Sequence, residues 1–460
     1  MNVNTIATIV LLGGFALLML LKVPVSFSLL IATAGAALVR NQNPTILVQQ
    51  MIAGINPPSL LAIPFFILMG ELMSEGGISE KIVDLANLVV GRFRGGLAYV
   101  NCLDSMFFGG ISGSAVADVS SLGSVVVPMM VKQGYQPEFS VGLTVITACQ
   151  GVLIPPSHNM VIYALAAGGV SIGSLLMAGA IPGILLGICL MALCFFMAER
   201  YHFPKGVAVP KGARMRVVVN AILPMFTLVI IMGGVAMGVF TATESSAIAC
   251  VYTFLLTYVI FQLPTFVRLF RESARAGSFK AAAAIWGRAF KTFSRSLFKV
   301  LRNTLKTLAI VLTLIAMAKA FAYMMTLLRI PATITSALLS ITTNRILLLL
   351  IINMLLVLLG CFMDMAPLIM IMTPILLPVV TSSAIGMNPI QFGVMLIFNL
   401  AIGLCTPPVG SALFVGCAVG KTSLERTSKA MLPMFAVMIF ALLLVTFVPW
   451  LTMWLPGILF

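Results

Sequence analysis

Charge is what this sequence has least of. Asp, Glu, Lys and Arg make up 8% of its 460 residues, where a soluble domain carries about 25%. With 61% hydrophobic residues, that deficit excludes a water-soluble globular fold. Alternating segments of about ten residues, the mark of membrane-spanning strands, are absent, which leaves an all-α polytopic membrane protein. The two histidines, His158 and His202, have no other ligands beside them in sequence, so no zinc site is written here. The eight cysteines show no CxxC spacing, and most lie within apolar runs; they read as small hydrophobes, not disulfides or metal ligands. Residues 1–21 lack the basic lead and small-residue cleavage site of a removable signal peptide and read as a first span.

What is present is a series of apolar runs of about 20 residues, the length that crosses a ~30 Å hydrocarbon core. Spans are expected at 5–21, 25–39, 60–73, 139–166, 172–198, 217–238, 245–261, 307–328, 392–416 and 431–449. A shorter stretch, 76–90, sets Ile78, Ile82, Leu85 and Val89 against Glu80, Lys81 and Asp84, the pattern of an interfacial helix; 330–343 is a second such connector. Two re-entrant helical hairpins are expected. The first joins 95–110 to 116–131 through a tip at 112–114, with two full spans as the rival reading. The second joins 347–362 to 368–383 through a tip at 363–367.

The net charge of +15 invites a nucleic-acid reading, but Lys and Arg cluster in a few loops between apolar runs, as in cytoplasmic loops. Threading the chain with its N-terminus outside puts 23 of the 27 inside. The segment 263–306 holds ten of them. Arg288, Lys291, Arg295, Lys299, Arg302 and Lys306 mark one face, and Trp286, Phe290, Phe293, Leu297, Leu301 and Leu305 another. The spacing predicts a basic amphipathic helix on the anionic leaflet; a calmodulin-like or nucleic-acid role is the weaker reading.

Two stretches interrupt the apolar sequence with residues that deny the backbone its helical hydrogen bonds: 109–157 and 360–410. Gly134-x-x-Pro137, Gly151 and Pro155-Pro156 recur as Gly386-x-x-Pro389, Gly403 and Pro407-Pro408, all at an offset of 252. An odd number of crossings separates the two units, which predicts inverted-topology repeats, each with a hairpin and a broken span. Irregular backbone at membrane depth is tolerated only inside protein or along a polar cavity, and such repeats mark secondary transporters. The bland alternative is tightly packed kinks, since Gly and Pro are common in membrane helices; the ordered recurrence favours function.

A helix broken at mid-membrane frees carbonyls on one half and N–H groups on the other. Carbonyls and hydroxyls suit a hard cation such as Na⁺, and N–H ends suit a carboxylate. Cation ligands are therefore expected at Ser112, Gly113, Ser114, Pro155, Gly360, Asp364, Gly403 and Thr406. Substrate contacts are expected at Ser114, Asp118, Pro156, Ser157, Pro367, Pro408 and Gly410. Glu244, in Thr241-Ala242-Thr243-Glu244, reads as a helix cap, while Lys319 lies in a span with no acid near it in sequence.

With these motifs in view, the chain resembles the large membrane subunit of tripartite ATP-independent periplasmic (TRAP) transporters, in the ion transporter superfamily. The residues that carry the resemblance are 109–118, Gly123-x4-Pro128 with Gly134-Tyr135, 153–157, 238–244 and 399–410. It implies Na⁺-driven uptake of a small carboxylate, such as a C4-dicarboxylate or sialic acid, at a bacterial inner membrane by an elevator movement. Na⁺ is the coupling ion and no cofactor is expected. The implied partners are a small four-span membrane subunit and a periplasmic substrate-binding protein, with anionic lipids against the basic segment and no nucleic acid. On this reading residues 1–75 are scaffold spans and 76–94 a connector. Residues 95–170 form one half of the transport domain. Scaffold spans follow at 171–262, the basic helix at 263–306, and a span with the second connector at 307–345. The second transport half is 346–420, and 421–460 holds the last span. Departures from the family pattern are Ala242 in place of Pro, His158 after Ser157, Gln150, and the length of 263–306. The rivals are a stand-alone Na⁺/carboxylate symporter, a channel, and an intramembrane serine protease built on Ser112 and His158.

Overall fold

A computed structural model describes residues 2–206, 210–275, 279–342 and 344–460, except for some side chains, Ile111 and Ser112 among them. Among these residues the regular structure is helical. In chain order the helices are α1 (Val3–Leu20), α2 (Val25–Val39), α3 (Pro44–Ile55), α4 (Pro58–Glu75), α5 (Ile78–Val90), α6 (Gly96–Ser112), α7 (Ala115–Lys132), α8 (Pro137–Leu153), α9 (His158–Ala167), α10 (Ile172–Arg200) and α11 (Arg214–Ala236). They continue as α12 (Ala242–Leu255), α13 (Leu263–Arg275), α14 (Phe279–Leu327), α15 (Ile330–Ile341), α16 (Arg345–Gly360), α17 (Met365–Val380), α18 (Pro389–Cys405), α19 (Ser411–Gly420), α20 (Leu424–Phe447) and α21 (Trp450–Leu459). Eight helices among the described residues are long and apolar enough to cross a membrane, and α8 with α9, bent by 49°, makes a ninth path.

Local chemistry sets the boundaries that matter. Pro137 and Pro389 occupy the first turns of α8 and α18, where a missing N–H costs nothing. Each of these helices runs 17 residues and stops before its Pro-Pro pair, which has no N–H to continue the ladder. The order connector, hairpin helices, broken helix, long helix occurs twice, as α5–α10 and as α15–α20. α8 and α18 are buried almost throughout and pack on each other. Where they cross, the Cys149 thiol donates to the Ala401 carbonyl at 3.1 Å and the Cys405 thiol to that of Val145 at 3.3 Å. Both cysteines are free thiols.

The structure departs from the sequence expectations in four places. α3 and α21 are helices where none was placed; α21 packs on α10. No break separates the basic segment from the next span, since α14 runs unbroken for 49 residues through Lys306. It is fastened along α4, where Lys299 Nζ pairs with Glu75 at 2.7 Å and Asn303 Nδ2 donates to Glu71 at 3.2 Å. The second hairpin turns earlier than expected, at residues 361–364, so Pro367 falls in the first turn of α17, where proline is accommodated. Residues 276–278 of the basic segment and residue 343 of the second connector lie outside the described residues.

Glu244 is the cap the sequence pointed to. Thr241 accepts from the Glu244 N–H at 3.2 Å, and Glu244 Oε2 accepts from the Thr241 N–H at 2.8 Å, a reciprocal capping box for α12.

Candidate functional site

The first hairpin turns because Gly113 takes a left-handed φ of +61°, closing α6, and Ser114 then caps α7 by accepting from the Ala117 N–H at 3.4 Å. The tip lies over the break in the α8–α9 pair. A methyl added at Gly113 would come 2.9 Å from the Pro156 carbonyl oxygen, and one at Gly110 would come 3.0 Å from that of Pro155. Among the described residues no backbone hydrogen bond ends on either carbonyl. The approach depends on Gly109 and Gly151, whose backbones touch without side chains between them. The second hairpin repeats the arrangement. Gly360 meets Gly403, and a methyl on Gly360 would lie 3.1 Å from the Gly403 Cα. The Val409 N–H then donates to the Cys361 carbonyl at 3.1 Å, tying break to tip.

The structure thus brings Gly113 and Ser114 against Pro155, Pro156 and Ser157, and Gly360 and Asp364 to the same end of their unit as Gly403 and Thr406. The side chain of Ser112 lies outside the described residues. Ser157 is fully buried, and its hydroxyl has no partner among the described residues.

A cavity of about 810 Å³ lies between these tips and the helices α2, α4 and α14. The N-termini of α7, α9 and α17 all open into it, through Ser114 and Ala115, His158 and Asn159, and Asp364 and Met365. The facing wall offers Ser26, Glu71, Ser74, Asn303 and Thr307. No Lys or Arg lines it among the described residues. An anion held there would therefore rely on helix N–H groups. Of the expected substrate residues, Ser114 and Pro367 line this cavity; Asp118, Pro156, Ser157, Pro408 and Gly410 do not. Pro408 is exposed at the second break.

Asp118 lies behind the first tip, 1% exposed, and Asp104 on α6 is fully buried and within electrostatic range of it. All four carboxylate oxygens lack a hydrogen-bond partner among the described residues. Sequence reading passed over Asp104 because it sits mid-helix with no breaker beside it. The signal was available: at the 252-residue offset the second unit has Leu356 for Asp104, and four residues past the N-cap, where Asp118 follows Ser114, it has Leu368 after Asp364. Apolar residues therefore serve at the corresponding positions of the second unit. A polar ladder runs toward the pair: Asn101 Nδ2 donates to Thr144 Oγ1 at 2.7 Å, Thr147 Oγ1 to Asn101 Oδ1 at 3.2 Å, and Ser105 Oγ to Thr147 Oγ1 at 3.2 Å. Its counterpart in the second unit joins Asn399 Nδ2 to Asn353 Oδ1 at 2.7 Å. Gln150 donates from Nε2 to the Cys102 carbonyl, away from the cavity.

Comparison with known proteins gives a family. Residues 12–451 match the Tripartite ATP-independent periplasmic transporter, DctM component. The chain is 36% identical over 451 residues to the uncharacterized protein YgiK of Salmonella typhimurium, covering 97% of each. It is 34% identical over 447 residues to the sialic acid TRAP transporter large permease protein SiaM of Vibrio cholerae, covering 96% of this chain and 97% of that one. The C4-dicarboxylate TRAP transporter large permease protein DctM of Vibrio cholerae is 36% identical over 402 residues, covering 87% and 86%. Among solved structures, the Alcanivorax borkumensis YdaH transporter shares the fold, with a TM-score of 0.61 at 13% identity over 90% of this chain and 88% of that one. The two Vibrio cholerae relatives are named as large permease proteins, which speaks for a transporter and against the protease reading of Ser112 and His158. The chain belongs to the DctM component family of tripartite ATP-independent periplasmic transporters, as a multi-pass protein of the bacterial inner membrane.

Proposed function

We propose that the chain takes up a small carboxylate, of the sialic acid or C4-dicarboxylate class, driven by Na⁺ and delivered by a periplasmic binding protein. A small four-span membrane subunit completes the carrier. The observation that carries this reading is the convergence of three helix N-termini on one cavity, each beside a hairpin tip or helix break. Helix N-termini favour anions through free N–H groups and the helix dipole, and the relatives named for sialic acid and C4-dicarboxylate carry carboxylates.

Na⁺ is assigned to the two places where a tip meets a break. The first has Ser112, Gly113 and Ser114 with the carbonyls around Pro155. The second has Gly360 and Asp364 with Gly403 and Thr406. Asp118, first expected at the substrate, is reassigned to the cation side together with Asp104. A buried carboxylate repels a carboxylate substrate but favours a cation, and among the described residues no Lys or Arg pairs with either of these two. Substrate contacts fall to Ser114, Asn159 and the first turn of α17 at Pro367. Pro156 and Ser157 shape the first break, and Pro408 and Gly410 the second.

The two units run in opposite directions through the membrane. α6–α9 and α16–α19 move as one transport body, coupled at the α8–α18 crossing, against a scaffold that includes α2, α4 and α14. Asn303, in the basic half of α14, lines the cavity, and on this reading the cavity faces inward. Serine-to-alanine at Ser114 and threonine-to-alanine at Thr406 test the cation sites. Each should raise the Na⁺ concentration for half-maximal uptake by roughly tenfold, the effect of ~1.4 kcal/mol of lost binding. Unchanged Na⁺ dependence in both variants would remove the assignment.

A further inference from the structure

Lys319 is a cation inside a span of α14, and its side chain is exposed. Counting from residue 307, it lies about 18 Å along the span at 1.5 Å per residue, near the middle of the bilayer. It does not face the cavity. Thr307, Ile310, Val311 and Leu314 do, and at 3.6 residues per turn Lys319 points about 130° away from them. It therefore does not serve the carboxylate substrate, the role a lysine within a span would otherwise invite.

The described residues do not supply its counter-charge. Among the described residues the ion pairs are Arg268 with Glu272, Lys299 with Glu75 and Lys429 with Glu425, and none of the twelve acids comes within ion-pair distance of Lys319. Nor is the side chain loosely placed. α3 lies along α14, with Arg40 Nη1 donating to the Leu327 carbonyl at 3.1 Å near its start. Its Gly54 presses on the lysine stem, where a methyl would come 2.8 Å from Lys319 Cβ. The stem is gripped and the ammonium projects outward. Beside it α3 exposes Ile52 at 56% and Ile55 at 41%. Lipid offers no counter-charge at this depth, because its charges lie at the headgroups. A charge at mid-membrane pairs within protein or lines a pathway, and the pathway is on the other side of the helix.

We infer that the face where α3 crosses α14, centred on Lys319, is the docking surface for the small membrane subunit, which brings a carboxylate to the Lys319 ammonium. The inference rests on the reading of the chain as the large membrane subunit of a three-part carrier. It adds the surface and the chemistry that the subunit must present.

The test co-expresses the full chain with the small subunit of its own system. Detergent-extracted complex is recovered through a tag on the large chain, for wild type, Lys319→Met and Lys319→Arg. A photoreactive residue is placed at Ile52, with a control at Phe440, which is 57% exposed on α20. Lys319→Met should cut recovery of the small subunit by at least about tenfold, as when one partner of a buried charge pair is lost, and Lys319→Arg should restore most of it. The melting temperature of the large chain alone should hold or rise with Lys319→Met, since a lone charge has left the lipid. Crosslinks to the small subunit should form from Ile52 and not from Phe440. Undiminished recovery with Lys319→Met, or crosslinks from Phe440 alone, overturns the surface. Failure of the wild-type chain to recover any small subunit overturns the partner itself, and this surface with it.

Discussion

Gly151 is the position where a single methyl should do most harm. It sits where α8 meets α6 backbone to backbone. An alanine Cβ there would fall against the Cα of Gly109, 3.2 Å from the Ser105 carbonyl oxygen and 3.4 Å from Asp118 Oδ2. The Gly109 and Ser105 atoms are rigid helix backbone, so no flexible chain end can swing aside. Normal carbon contacts of ~3.5–4 Å require the two helices to part by more than about 1 Å. Overpacking of this kind costs ~1–3 kcal/mol. Because one kcal/mol shifts the midpoint of a protein this large by only a few degrees, Gly151→Ala should lower the melting temperature by roughly 2–8 °C. The functional loss should be larger, because parting α6 from α8 lifts the tip off the Pro155 and Pro156 carbonyls. Na⁺-dependent uptake in proteoliposomes should fall by about tenfold or more, the consequence of ~1.4 kcal/mol lost at the cation. The control is Gly287→Ala in α14, where an added methyl meets nothing within 4 Å. It should leave uptake intact and gain up to ~1 kcal/mol of helix propensity. If Gly151→Ala melted and transported like Gly287→Ala, the glycine contact would not be what holds tip to break.

Three further outcomes are expected. Thr241→Ala removes the α12 capping box at a cost of ~1 kcal/mol; the melting temperature should drop a few degrees while the Na⁺ dependence of uptake stays unchanged, as measured side by side. Asp104→Leu, which installs the residue found in the second unit, should melt no lower than wild type in Na⁺-free buffer yet lose the stabilisation that added Na⁺ confers, read by thermal denaturation across a Na⁺ series. Asn303→Asp sets a second carboxylate against Glu71 on the cavity wall, where Asn303 now donates at 3.2 Å; uptake of a carboxylate should fall several-fold, and less so at high ionic strength where charge is screened.

The elements that the sequence revealed are those fixed by local chemistry. α2 begins and ends on the residues expected, because Pro24 and the polar stretch at 40–43 bracket one apolar run. The two broken helices were legible from Pro-Pro, since proline has no N–H for the ladder, and the Thr241–Glu244 cap from its spacing alone. Features set by long-range packing were not. α14 is held against α4 through Glu71 and Glu75, more than 200 residues away in sequence. α21 is a short helix beyond Pro449 that finds its place only against α10. At the site, the pairing of each tip with its break was readable from the repeat. Which residues face the cavity was not: Glu71, Asn303 and Ser26 come from distant helices, and Asp118, close to the tip in sequence, points inward instead.

The central claim is Na⁺-driven uptake of a carboxylate through a three-part carrier, and one measurement bears on it most directly. The chain and its small subunit are reconstituted in proteoliposomes. Uptake of labelled sialic acid or succinate is followed with and without an inward Na⁺ gradient, and with and without the system's own periplasmic binding protein. The account predicts saturable uptake of one of these carboxylates only when both the gradient and the binding protein are present. Uptake that is equal without Na⁺, or that proceeds without the binding protein, would contradict it.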